Sequence, residues 1–277
     1  MADAAPRTVL VTGCSSGIGA ALAREFHARG CAVIATARRL ESLEPLRALG
    51  LRTLALDVCD AASIAALVAT LGDAPLDLLV NNAGYGQFGA ITDQDLAALR
   101  AQFDTNVFAP VVLTNALLPA LRRGRDPCVA HVGSISGLVT TPFSGAYAAS
   151  KAALHAVADA MRMELASLGV RVVTVQPGGI ASNFGTAGGD HIGLPDASPF
   201  QPLAALIRRR AQFSQVDATP ADAFARTAVT HLLDPAAGPI CRTGSKSFVL
   251  PALGRWLPTR TLDRMLRRRF GLDRFKA

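Results

Sequence analysis

The chain has 277 residues, half of them hydrophobic and 5% aromatic, with a formal charge of +7. That length suits one large domain or two small ones, with enough apolar material for a sizeable core. The charge belongs to the C-terminus: residues 254–277 hold eight basic and two acidic side chains, a net +6, so the near-neutral body gives no reason to expect nucleic-acid binding.

The five cysteines (Cys14, Cys31, Cys59, Cys128, Cys241) are scattered and form no C-x-x-C pair, and the five histidines do not cluster. Neither a disulfide framework nor a metal site is expected, and a reducing, cytoplasmic setting fits best. The opening MADAAPR lacks the basic start and long apolar run of a secretory signal. No stretch approaches the ~18 uninterrupted apolar residues of a spanning helix.

Residues 7–12 (RTVLVT) read as a buried strand that stops at Gly13. The turn TGCSSGIG comes next at 12–19, then an Ala-rich helix to about Arg29, with Gly30 ending it. A second strand covers 31–37 and a helix runs through about Ala48. The third strand covers 51–58, and Asp60 is placed to cap a helix over 61–71. The fourth strand, 76–84, runs into N-N-A-G. A helical stretch over 93–123, in two segments, leads to the fifth strand at 128–134. A helix from about Ala146 to Leu168 precedes the sixth strand, 170–179. After an irregular stretch come a short basic helix (LAALIRRRAQF), a helix over 220–233 and a strand at 246–251 (KSFVLP).

This alternation predicts a Rossmann-like, doubly wound parallel sheet of about seven strands with helices on both faces. One domain is expected over 1–253. The stretch of about 182–219, too long for a simple connection, is expected to form a lid. Ligands bind such sheets at the carboxyl ends of the strands, and the polar and glycine signals fall there.

At the end of the first strand, Gly13, Gly17 and Gly19, with Ser15, Ser16 and Ile18, form a turn where a pyrophosphate can approach backbone N–H groups at a helix start. The second strand ends in Ala37-Arg38-Arg39, and no carboxylate stands there to hold a ribose diol. A guanidinium suits a 2′-phosphate, so NADP(H) is expected over NAD(H), with Arg38 the first choice and Arg39 the second.

Tyr147 and Lys151 lie four residues apart where a helix is expected, and so share a face. A nearby ammonium lowers a phenol's pKa, and a phenol so tuned can exchange a proton with a carbonyl or alcohol oxygen. Ser134 can hydrogen-bond the same oxygen. On its own such a pair is more often a tyrosine resting on a lysine stem; the surrounding signals favour chemistry.

The motifs T-G-x-x-x-G-x-G (Thr12–Gly19), Asp57, N-N-A-G (Asn81–Gly84), Asn106, Ser134, Y-x-x-x-K (Tyr147–Lys151) and Pro177-Gly178 span about residues 7–185. Together they resemble the short-chain dehydrogenase/reductase family. The strings VGSISGLVTTPFSGAYAASK and ATARR resemble its steroid and retinoid branch. The resemblance implies Tyr147 as general acid or base and Lys151 as the group that lowers its pKa and holds the nicotinamide ribose. It also implies Ser134 as the orienter of the substrate oxygen and Asn106 as anchor of a relay water. Asp57 and Val58 would contact adenine, and Asn82, Ala83 and Gly84 would line the ribose. Pro177, Gly178 and Ile180 would place the nicotinamide, with Ser182 at its carboxamide, where threonine is more usual. Gly133 stands where a second serine is frequent. A homodimer or homotetramer is the expected assembly.

Leu138, Val139, Pro142, Phe143 and Phe184 are expected to wall the substrate pocket, without a basic residue converging on it. The substrate expected is a hydrophobic ketone, aldehyde or alcohol with a steroid-, retinoid- or lipid-like body. Alternatives are a 3-oxoacyl-thioester reductase, whose acidic carrier would meet Arg208–Arg210, and a dinucleotide-binding sensor without chemistry. Leu262, Met265, Leu266 and Phe270 form one face of a basic amphipathic helix in the extension 254–277. It either packs on protein or lies on an anionic membrane surface.

Overall fold

The computed structural model describes residues 5–182, 184, 192–273 and 275. Among them, seven parallel strands form one sheet: β1 (Thr8–Val11), β2 (Ala32–Ala37), β3 (Arg52–Ala55), β4 (Leu78–Asn81), β6 (Cys128–Val132), β7 (Arg171–Pro177) and β9 (Ile240–Thr243). Their order is β3-β2-β1-β4-β6-β7-β9. The chain leaves β1 toward β2 and β3 on one side, then crosses to β4 and beyond on the other. The crevice of a doubly wound sheet opens at that reversal. The register is set by short apolar runs, for example Val9 beside both Val33 and Leu78. The central strands β1, β4 and β6 are buried on both faces, which is why they read as continuous hydrophobic stretches.

Helices cover both faces. On one side α1 (Gly17–Ala28) and α8 (Ala221–Leu233) pack Leu22, Phe26, Phe224 and Val229 against Val9, Val11 and Val33. On the other, α3 (Ala61–Leu71) and α5 (Ala109–Leu121) pack Ile64, Leu67, Leu113 and Leu117 against Leu10, Leu79 and Val129. Asp60 caps α3 as expected, accepting the N–H groups of Ala62 and Ser63. The segment after β2 is tighter than expected: a 3₁₀ turn at Leu40–Leu43 runs into the short α2 (Glu44–Arg47).

The strand expected at 246–251 is not one. The seventh strand is β9, and Val249–Trp256 is a helix, α9. Pro251 is the reason: it has no N–H for a strand ladder, whereas the first turn of a helix has no use for that N–H.

Part of the expected lid, residues 183 and 185–191, lies outside the described residues. The rest of it includes β8 (Ile192–Gly193), paired in parallel with β5 (Phe88–Gly89), and α7 (Ala204–Ala211). The C-terminal α10 (Thr259–Arg269) buries Leu266, and Phe270 after it meets Phe213 with ring centroids 5.3 Å apart. Leu266 and Phe270 of the stripe thus turn inward, whereas Met265 is exposed.

Candidate active site

A cavity of about 650 Å³ opens over the carboxyl ends of the central strands. Its walls bring together Gly13, Ser15, Ser16, Gly17, Ile18 and Gly19 from the turn after β1 and the start of α1, Arg38 just after β2, and Asp57 and Val58 just after β3. Asn82, Ala83 and Gly84 follow β4, Ser134 follows β6, Tyr147 and Lys151 come from α6 (Gly145–Ala166), and Pro177 ends β7 with Gly178, Ile180 and Ser182 after it. Val139 and Phe184 also line it.

The glycine turn is built for close approach. Gly13 has φ +70°, and a Cβ there would lie 2.8 Å from the Ala83 backbone; at Gly19 a Cβ would overlap the Gly13 carbonyl. Thr12 ties this turn to the N-N-A-G loop. Its Oγ1 accepts the N–H groups of Asn82 and Ala83, each at 2.9 Å, while the Asn82 amide donates to Thr12 O at 2.7 Å. The Asn82 side chain therefore braces the turn. Ser16, at the N-cap of α1, has extended backbone and makes no side-chain cap. The first-turn N–H groups thus have no side-chain acceptor among the described residues and stand beside the cavity, as an anion site requires. A glycine cradle, an uncapped helix start and a cationic Arg38 fit a dinucleotide. Arg39 lies outside the wall, and its carbonyl accepts from the Ser42 hydroxyl at 2.6 Å.

α6 carries the polar cluster inward. Tyr147, Lys151, Leu154, His155 and Ala158 recur at helical spacing and are buried. Lys151 Nζ donates to the Val132 carbonyl at 2.7 Å and stands 5.9 Å from the Tyr147 ring centroid. Burial pulls the Lys151 pKa down to about 8. Burial also pushes the Tyr147 pKa up, with the Ser134 hydroxyl and the Arg210 charge pulling it back. The lowering expected from Lys151 does not appear: that ammonium is turned to a backbone carbonyl, and desolvation of the phenolate outweighs the groups that favour it.

Ser134 is held from both ends. Its Oγ accepts the Ser136 N–H at 3.1 Å, leaving the hydroxyl proton to donate elsewhere. Its N–H donates to His155 Nε2 at 3.4 Å. Asn106 sits in a π-helical segment, Asp104–Phe108, between α4 (Leu96–Phe103) and α5. Its Nδ2 donates to Tyr85 O and Ser150 Oγ, both at 3.0 Å, and its Oδ1 accepts the Tyr85 N–H. It is buried outside the cavity wall, behind Gly84, where a Cβ would meet Asn106 Oδ1 at 2.9 Å and Lys151 Nζ at 3.6 Å.

The substrate side departs from expectation. Leu138 is 41% exposed and off the wall, because neighbouring Val139 takes the inward direction. Pro142 is also off the wall. Phe143, with φ +63°, packs into a separate cluster with Leu203 and Ile207 and meets Phe200 at 6.0 Å. The apolar lining comes instead from Phe88, Phe184, Phe213, Val139 and Leu250. Phe184 lies 5.2 Å from the Tyr147 ring.

A basic residue does converge on the pocket. Arg210 lines the cavity and is buried; in sequence it hides inside the run Arg208–Arg210. Ile207, Arg210 and Ala211, at i, i+3 and i+4, share the buried face of α7. That period puts Arg210 on the apolar side, a signal present in the sequence.

A family model described as short chain dehydrogenase matches residues 7–191. The chain is similar to the short-chain dehydrogenase cctT of Talaromyces islandicus, 32% identical over 97% of this chain and 96% of that one. It is also similar to human retinol dehydrogenase 8, 38% identical over 65% of this chain and 61% of that one. Relatives of several kinds match comparably, so no single branch dominates. Among solved structures, a short-chain dehydrogenase from Streptomyces avermitilis superposes with TM-score 0.79, 28% identity and 98% coverage of both chains. Similar structures include one in complex with NAD and others with NADP.

Proposed function

The chain belongs to the short-chain dehydrogenase family, of NAD(P)-dependent oxidoreductases, and from that premise we propose that it interconverts an apolar ketone or aldehyde and its alcohol with NADP(H). The observation that carries this reading is the convergence of Ser134, Tyr147 and Lys151 on the cavity that also holds the glycine turn. When bound, the nicotinamide cofactor supplies the hydride. Tyr147, kept protonated by burial, donates the proton to the substrate oxygen in reduction. Ser134 donates its hydroxyl proton to the same oxygen, where negative charge develops. Lys151 would hold the nicotinamide ribose of a bound cofactor, and Asn106 keeps the Tyr85 loop and α6 in register behind it. Arg38, without a neighbouring carboxylate on the wall at the end of β2, supports a 2′-phosphate over a bare ribose. The aromatic and aliphatic lining supports a hydrophobic substrate body, steroid-, retinoid- or lipid-like.

The test is turnover of a panel of apolar ketones with NADPH by the unaltered chain and by Tyr147→Phe. General acid catalysis contributes about 10²–10⁴-fold, so the variant should lose that much turnover while still binding NADPH by fluorescence. Undiminished turnover by the variant would overturn the assignment.

Phe248, Val249 and Trp256 are each more than 60% exposed, with Arg242 over the Phe248 ring and Arg255 over that of Trp256, and the arginine-rich α10 follows in the chain, which supports peripheral contact with an anionic membrane. Flotation with anionic but not neutral liposomes, weakened by Trp256→Ala, tests it. Leu96, Phe108 and Val112 are at least half exposed on or beside α4 and α5, which supports self-association as a homodimer or homotetramer. Light scattering after gel filtration checks that.

A further inference from the structure

Arg210 is a buried cation without an acidic partner among the described residues. Its Nε and Nη2 donate to Thr141 Oγ1 at 3.0 and 2.6 Å, and Nη2 also to Ser144 Oγ at 2.9 Å. Its guanidinium stands 5.4 Å from the Phe88 ring centroid and 5.6 Å from those of Phe213 and Phe270. None of the ion pairs among the described residues includes it. Asp57, the one acidic residue on the cavity wall among the described residues, lies at the end of β3 and accepts the Cys59 N–H. Two hydroxyls and three ring faces soften the burial of a charge but do not neutralise it, and such a charge is costly to keep.

The geometry leaves one group for a ligand. Nη1 has no hydrogen-bond partner among the described residues, yet it is not one of the buried polar atoms sealed away without a partner. Arg210 lines the cavity, and Nη1 is the guanidinium nitrogen without a partner among the described residues. Phe88, which carries the guanidinium on its face, also meets the Tyr147 ring at 6.3 Å, so cation and phenol share one wall. The hydroxyls of Thr141 and Ser144 fix the plane of the guanidinium. A preset guanidinium recognises a carboxylate far better than a neutral group.

We propose that Arg210 is the anion-recognising, specificity-determining residue of the substrate end, and that the preferred substrates are apolar carbonyl compounds or alcohols that carry a carboxylate. This rests on the oxidoreductase reading of the site and narrows it. In the reductive direction the carbonyl takes up a hydride at carbon, from the reduced nicotinamide, and a proton at oxygen, from Tyr147. The oxo acid becomes a hydroxy acid and its carboxylate passes through unchanged. An arginine that only staples α7 to the 141–144 loop would make no such selection.

The experiment compares 4-oxo-4-phenylbutanoate with its methyl ester, using NADPH and the full chain. The acid should be favoured in kcat/KM by about tenfold or more, mostly through KM, and Arg210→Met should bring that ratio close to one while Arg210→Lys keeps part of it. Calorimetric binding of 4-phenylbutyrate and 4-phenylbutyramide to the unaltered chain with NADP⁺ gives a readout that needs neither turnover nor a stable variant. The carboxylate should bind about tenfold tighter or better. Equal binding of the two, or an Arg210→Met variant that keeps the full preference for acid over ester, overturns the assignment. Preferential carboxylate binding without reduction of any carbonyl leaves Arg210 in place and instead counts against the oxidoreductase reading.

Discussion

His155 lies directly against Gly133, so that a Cβ on Gly133 would overlap the imidazole Nε2. That same nitrogen accepts the Ser134 N–H at 3.4 Å. The glycine before Ser134 is thus matched to a histidine two turns along α6 from Tyr147. Gly133→Ser should displace the ring and cost about 1–3 kcal/mol, as overpacking in a tight core does. His155→Ala should relieve the overlap, so the double variant should be more stable than the sum of the single losses implies. Urea unfolding of the four proteins measures the coupling, and strict additivity would show that the two sites are independent.

Acid should weaken the fold through two rings. His131 and His155 are buried, each holds one ring nitrogen without a hydrogen-bond partner among the described residues, and burial with repulsion from Lys151 pulls both pKa values to about 4. In an unfolded chain these rings titrate near 6.5. Between pH 6.5 and 4 the unfolded state binds more protons, so stability falls as pH drops through that window and is unaffected by these rings above it. At pH 5 the loss should be about 2 kcal/mol per ring relative to pH 7.5. His131→Asn should flatten the decline in urea midpoint between those pH values. An unchanged slope would mean that the ring is already accommodated in its charged form.

Much of this was legible in sequence because strands buried on both faces leave long apolar runs, and because glycines, asparagines and prolines mark the ends where those strands deliver the site. Asp60 capping α3 and the inward face of α6 follow from spacing alone. What escaped did so for local reasons. Pro251 reverses the reading of KSFVLP, and one residue of register separates Val139 on the wall from Leu138 off it. Phe143 leaves the pocket through a left-handed backbone conformation that no residue pattern announces. Arg210 was masked by two exposed arginines beside it. Burial, a property of the assembled fold, decides the direction of the Tyr147 shift against the charge pairing that sequence suggests.

Arg38 and Arg39 separate in the fold. Only Arg38 lines the cavity, at the end of β2. Removing one guanidinium that binds a phosphate costs about 1.5–3 kcal/mol, or roughly tenfold to a hundredfold in affinity. Arg38→Ala should therefore raise the KM for NADPH by that factor while moving the KM for NADH little, and Arg39→Ala should change neither greatly. Parallel titrations with the two cofactors decide it. An Arg38 variant that still prefers NADPH would place 2′-phosphate recognition elsewhere.

Lys151 should cost the fold stability at neutral pH. Its pKa falls from about 10.5 when unfolded to about 8 in the folded chain because the ammonium is desolvated. Between pH 8 and 10.5 the unfolded state holds more protons, so stability rises with pH across that range, and below pH 8 the charge weighs on the fold in full. Lys151→Met removes that burden together with the hydrogen bond to Val132 O, which offsets part of the gain. At pH 7 the cofactor-free variant should be more stable than the parent by about 1–2 kcal/mol. The gap should close toward pH 10, where the parent lysine is largely neutral in the fold. Urea midpoints at both pH values test this, and a gap of the same size at pH 7 and pH 10 would mean that packing of the methionine, rather than loss of the charge, is responsible.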